Sequence, residues 1–275
     1  MKKLMLTLGF AALCGAVLPA HAAIESETVG YDTITLKNGY NMLAVNFQNI
    51  GETTTISIQD LIPGTTAGLK GYSNATQADV IMVYDSSTSE YTTYFLYVNP
   101  RNANDAKNGK WCVSVNGAPV ATNTFVNGDS FWFKKYAEGD ATIRVSGGVS
   151  VAAGQTLTIE HGYNMFGSAF PANFNPNNIG VDWKEAIANG ASGYSNATQA
   201  DVIMVYDAAT EQYTTYFLYN NPRNANDAKN GKWCLSANGA PAVDATAEVM
   251  ASGKGAWYKH YGNTTFNITA KSPLK

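Results

Sequence analysis

Short runs of β-branched and aromatic residues alternate along this chain with clusters of Gly, Asn, Asp and Pro. Such side chains fit a pleated, partly covered surface, while Gly and Asn tolerate left-handed backbone, so the pattern is one of short strands and turns. In the first half it predicts strands over residues 33–36, 41–47, 78–84, 91–97, 111–115, 131–136 and 141–145. In the second half it predicts them over 156–160, 163–170, 200–206, 213–219, 233–236, 256–261 and 265–270. Residues 85–90 separate two strong runs and read as a hairpin loop. Asn108-Gly109 and Asn230-Gly231 supply turn residues before the next strand. Helical spacing is confined to 58–62 and 181–188, where Trp183 and Ile187 lie one turn apart. Along 91–97, Tyr91, Phe95 and Tyr97 share one face, and Tyr94 shares the other with Thr92 and Leu96. One face is expected to be core and the other could present Tyr94 to solvent as a sugar platform, but ordinary cross-strand packing of these rings is the favoured reading.

The two sets of strands belong to an internal repeat. Residues 71–112 align with 193–234 at a spacing of 122, with five differences in 42 positions. Four of the five fall in 86–90 and the fifth is Val98 against Asn220. Upstream the spacing is 123 and downstream 125, as loop insertions allow. The period is domain-sized and far longer than a solenoid repeat. The expected architecture is all-β: two homologous β-sandwich-like domains (jelly-roll or partly closed barrel) in tandem. The expected boundaries are 1–22 for a signal peptide, 23–150 for the first repeat and 151–275 for the second. Cores tolerate conservative apolar swaps, so folding alone does not explain fifteen identical residues at 71–85 and 193–207. Either the segment was copied recently or both copies face the same kind of partner. Copying is favoured, because identity runs through both strand faces.

Composition adds an address. Lys2 and Lys3, an apolar run over 4–18 and Ala20-His21-Ala22 form a secretory signal, with the mature chain starting at Ala23. Leu13 stands before Cys14 where a lipid-attachment motif needs a small residue. The expected location is outside the inner membrane: periplasm, cell surface or medium. Losing the signal takes the formal charge from −3 to −5. No basic cluster marks a nucleic-acid partner, and no later run is long enough for a membrane-spanning helix. Export permits a disulfide between Cys112 and Cys234. The favoured alternative is that each thiol is a small buried apolar group in its own repeat.

Candidate chemistry is sparse. His161 and His260 occur in no metal-binding pair, and neither is present in both repeats. No nucleophile elbow or phosphate loop occurs, and no cofactor is expected. Asp79, Asp85 and Asp105, with Asp201, Asp207 and Asp227, could be paired carboxylates for hydrolysis. The plainer reading makes Asp85 and Asp207 turn formers. The polar loop at 99–110 and 221–232 lacks calcium-loop spacing and carries Arg101 and Lys107, so a hydrogen-bonded surface loop is favoured. If sugar is bound, Tyr94, Asn102, Asn104 and Asp105, repeated as Tyr216, Asn224, Asn226 and Asp227, are the candidate contacts.

Gly39-Tyr40-Asn41-Met42-Leu43 and Gly162-Tyr163-Asn164-Met165-Phe166 carry a resemblance. With a Tyr-rich hairpin and a closing strand at 126–135 or 251–260, each repeat resembles the Gly-Trp-Asn-Leu module of secreted and surface proteins of Gram-negative bacteria. Val181-Asp182-Trp183 is similar to an Asp-Trp element of that module. The resemblance implies a non-catalytic β domain and transfers no catalytic residue. The expected function is a secreted, non-enzymatic structural or surface-interaction protein, self-associating or bound to envelope or extracellular components. The alternatives are a bivalent carbohydrate-binding protein and, less favoured, a secreted hydrolase.

Overall fold

A computed structural model describes residues 28–50 and 55–273. The expected signal segment lies outside the described residues. The fold is all-β, and each half follows one plan. In the first half, β2 (Gly39–Ala44), β8 (Ser130–Lys135), β4 (Val80–Asp85), β5 (Glu90–Tyr97) and β6 (Lys110–Val113) form a five-stranded sheet in that order. All its neighbours are antiparallel. In the second half, β11 (Gly162–Gly167), β15 (Gly255–His260), β12 (Val202–Asp207), β13 (Gln212–Tyr219) and β14 (Lys232–Leu235) repeat the same order.

A two-stranded ribbon folds over each sheet: β1 (Val29–Leu36) with β9 (Ala141–Gly148), and β10 (Gly154–Ile159) with β16 (Phe266–Lys271). Every strand expected from the pattern falls on one of these. The short pair β3 (Thr55–Ser57) and β7 (Thr124–Val126) was not legible, because three residues give no alternation to read. The helices are α1 (Ile58–Leu61), capped by Ser57, and α2 (Trp183–Ala188), capped by Asp182.

The main core of each half lies between sheet and ribbon. Ile34, Leu36 and Ile143 of the first ribbon meet Leu43, Ile81, Tyr94, Leu96 and Phe133 of the sheet, with Trp111 fully buried. The second half repeats this around Trp233, Tyr258 and Phe266.

The Gly-Tyr-Asn motif makes the corner between ribbon and sheet. Gly39 and Gly162 hold φ of 81° and 88°, where a Cβ is strained. Two residues on, Asn41 is fully buried. Its carbonyl accepts from Lys37 N at 2.8 Å, and its amide donates to Lys37 O at 2.8 Å and Gly39 O at 3.2 Å. Asn164 does the same with Glu160 and Gly162. One side chain thus satisfies the backbone groups that the corner takes out of the ladder.

The halves meet through reciprocal contacts. Ala44 N donates to Gly253 O at 3.0 Å, and Gly167 N donates to Gly128 O at 2.9 Å. Gly167 occupies the place of Ala44 in the second repeat, and Gly253 that of Gly128. The contact is therefore isologous, like that of a two-fold dimer. A side chain on Gly167 would collide with Ala44. The bonds occupy the outer edges of β2 and β11, which would otherwise be open to strand pairing. Beside them, Met42, Trp132 and Trp257 form a third core with Tyr84 and Tyr206, built from both halves.

Candidate functional site

Two kinds of surface hollow occur at matching places of both halves. The two kinds of hollow have diverged very differently.

At the interface, one cleft of 230 Å³ is lined by Tyr84, Ser86, Asp129 and Gln155. Its counterpart of 630 Å³ has Tyr206, Ala208, Lys254 and Asp32 in the matching places. An acid has become a base and an amide an acid. Burial pushes the Asp129 carboxyl above its ordinary value and the Lys254 ammonium below its own.

At the far end of the same sheet face, each half carries a groove, of 550 Å³ and 560 Å³. Eleven residues line each one, and ten of the eleven matched pairs are identical. Only Val115 against Ala237 differs. Phe95 and Tyr97 form the floor, with Ser73, Asn74 and Lys107 on one side and Ser114, Asn116 and Gly117 on the other. The 114–118 rim is bent by Gly117 at φ 83° and Ala118 at φ 42°, and its copy by Gly239 and Ala240 at 80° and 43°. Alanine seldom adopts that backbone, so both rims hold the same strained turn. The rim folds back onto β6 through Val113 N to Pro119 O at 2.9 Å and Ala121 N to Trp111 O at 2.8 Å.

Lys107 is fixed in the groove wall. Its ammonium sits 4.5 Å from the Tyr97 ring centre and donates to Gly117 O at 3.2 Å. Lys229 copies this at 4.4 Å from Tyr219 and 3.2 Å from Gly239 O. The Tyr97 hydroxyl donates to Asp105 Oδ2 at 3.2 Å, and Tyr219 to Asp227 at 3.0 Å. Among the described residues the ion pairs are Lys37–Asp140 and His260–Asp201, so neither groove lysine is in one.

The contacts expected for sugar lie elsewhere. Tyr94 is 1 % exposed and packs into the main core, in line with the favoured packing reading and against the alternative in which it faces solvent. Tyr216 is half-buried against the matching core. Both faces of β5 are covered at this point, so alternation could not say which ring reached the surface. Asn102 and Asp105 accept from the N–H groups two residues on, Asn104 N at 3.1 Å and Lys107 N at 3.1 Å. Asn224 and Asp227 do likewise. Asn104 and Asn226 lie exposed on these turns. Asn108 plugs the centre, accepting from Asn99 N at 2.6 Å and donating to Asn102 O at 2.9 Å. The loop is thus a run of side-chain-closed turns whose oxygens point at their own backbone. Among the described residues, no three His, Cys, Asp or Glu side chains converge on a metal position.

The other aspartates are similarly engaged. Asp85 accepts from Ser87 N at 2.8 Å and Asp207 from Ala209 N at 2.8 Å, so both form turns. Hydrogen bonds from Ser87, and for Asp207 from the Ala209 N–H first, hold both carboxyls below the ordinary value. Asp79 and Asp201 are fully buried. Asp201 accepts from the Tyr258 hydroxyl at 2.9 Å and from His260 Nδ1 at 2.8 Å, while His260 Nε2 bonds Thr264 O at 3.0 Å. This trio resembles a catalytic relay, but His260 is 1 % exposed, and Lys135 replaces it in the first repeat beside Asp79. Burial and the adjacent Asp201 drive the Tyr258 hydroxyl well above its ordinary value. The node is a buried polar clamp.

Cys112 and Cys234 are each free and fully buried, one in each half. Burial raises both thiols, that of Cys234 to about 11. No helix of the described residues is long and apolar enough to cross a membrane. Comparison with protein-family models, with curated proteins and with solved structures finds no match to this chain.

Proposed function

We propose that this chain is an exported, non-enzymatic interaction protein. Its two homologous halves hold two equivalent grooves toward a repetitive partner of the envelope or extracellular space. The observation that carries this reading is unequal divergence. Ten of eleven groove positions agree between the halves: six lie in the copied block at 71–112, and the four that carry the argument, Ser114, Asn116, Gly117 and Ala118, lie on the rim beyond it, while the interface clefts exchange Asp129 for Lys254. The agreement breaks at Val113 against Leu235 after the block at 71–112, resumes over the rim at 114–119 with Val115 changed there, and lapses from Val120 onward. It therefore covers the segments that build the groove. The leader-like start and the resemblance of the Gly-Tyr-Asn corners to a module of exported proteins support the location. Two sites on one chain gain avidity for a repetitive surface when both engage.

The test is retention of the full chain by the envelope and extracellular fractions of its own source cells. Ser114 and Ser236 are exposed on the rims, and no core contact depends on their hydroxyls. Ser114→Trp with Ser236→Trp should fill both grooves, leave thermal unfolding unchanged and release the protein from those fractions. Retention unchanged in the folded double variant contradicts the reading.

A further inference from the structure

We infer that each groove binds an acidic sugar unit of an anionic polysaccharide. This rests on the proposed reading and names its ligand class. The groove carries one formal charge, the ammonium of Lys107 or Lys229, held by a ring face and a carbonyl. No carboxylate makes a contact ion pair with it. Asp105 and Asp227 attract the two ammoniums from nearby, but the hydrogen bonds of Asp105 go to Tyr97, to Asn99 at 3.1 Å and to the Lys107 backbone N–H, so the ammonium stays open to a ligand. A ligand entering here meets a pre-placed cation whose ordering entropy is already spent in the free protein.

The remaining walls suit hydroxyls. Ser73, Ser114 and Asn116 offer donors and acceptors above a Phe95–Tyr97 floor, in a volume typical of small-ligand sites. An acidic peptide would be expected to add a strand to the sheet edge. That edge is closed, because the rim already pairs with β6 through Val113 and Ala121. A nucleic acid would call for several cations along a track, and each groove has one. Duplication of one acidic-sugar site fits a polymer that repeats the same unit.

The experiment is calorimetric titration of the full chain with a short oligouronate, its methyl-ester form, a sulfated oligosaccharide and an oligoglutamate of equal length. The oligouronate or the sulfated probe should bind two per chain and weaken with added salt. The ester should bind at least ~10-fold more weakly, a loss on the order of one hydrogen-bonded charge. Lys107→Met with Lys229→Met should match the ester's loss, and Lys107→Arg with Lys229→Arg should retain most binding, which separates charge from folding. Equal binding of the ester, equal binding of oligoglutamate, or no binding of either anionic sugar overturns the ligand class. In those cases release from envelope fractions by the groove-filling variant would still uphold the two-groove reading. Sugar binding that persists in the groove-filling variant overturns the site.

Discussion

The indole of Trp132 meets the ring of Tyr206 edge-on at 5.1 Å, joining β8 of the first half to β12 of the second. Trp257 and Tyr84, which hold the matching places, meet at 5.0 Å with the halves exchanged. Edge-to-face pairs of this kind add about 0.5–1.5 kcal/mol beyond their burial. Double-mutant cycles, Trp132→Ala with Tyr206→Ala and Trp257→Ala with Tyr84→Ala, should return couplings of that size and equal to each other within error. Each tryptophan alone should cost about 3–5 kcal/mol in urea unfolding, since it leaves a cavity shared by both halves. A cycle with no coupling would remove the clasp.

Asn41 and Asn164 should matter more than any exposed residue of the turns they close. Asn41→Ala leaves Lys37 N–H and the Lys37 and Gly39 carbonyls without their partner at a half-buried corner. The expected loss is about 2 kcal/mol, from several half-buried backbone groups made unsatisfied. Asn102→Ala, on an exposed turn, should cost about 0.5 kcal/mol or less. Comparable losses for the two would show that the corner is not closed by this side chain.

Asp129 gives a pH test. Burial raises its folded carboxyl above the ordinary 3.8, only partly offset by the Val126 N–H. The folded state therefore holds its proton more tightly than the unfolded chain. Its contribution to stability is best below 3.8 and is lost as pH rises through the folded value. Asp129→Asn removes the buried charge and keeps an acceptor for Val126. It should be more stable than the parent at neutral pH, with the difference shrinking below 3.8, as thermal melts across pH would report. A difference that grows toward acid would have the opposite sign and contradict the assignment.

The thiols should be silent in the native protein. With Cys112 and Cys234 fully buried and unbridged, a thiol reagent should label both peptides only in denaturant. Rapid native labelling, or a peptide pair linked by a disulfide, would contradict the packing around them.

Much of the fold was legible because it is written in local terms. Alternation over 91–97 placed Tyr94 opposite Phe95 and Tyr97, and β5 keeps that alternation. Asp85 and Asp207 behave as the turn formers their positions suggest. What alternation could not give is which face is covered. At β5 one face lies under the ribbon and the other under the groove rim, so Tyr94 is core and Tyr97 is floor. The corner role of Asn41 depends on backbone groups stranded by a bend, which polarity alone does not reveal. The interface was hidden for a related reason: Trp132 and Trp257 lie on the predicted strands 131–136 and 256–261, and nothing in the pattern says that the core they join is built by both halves. The groove had a signal that could have found it. After the change of Val113 to Leu235, identity resumes at Ser114, Asn116-Gly117-Ala118 and Pro119, beyond the strands, in a rim that packing alone would leave free to drift.

The most direct test of the account is a residue-resolved NMR titration of the full chain with the anionic oligosaccharide that binds in calorimetry. The account predicts that Ser73, Asn74 and Asn116 shift together with Ser195, Asn196 and Asn238 over the same concentration range. Shifts in one groove alone, or centred on the interface cleft of Asp32, Tyr206 and Lys254, would contradict it.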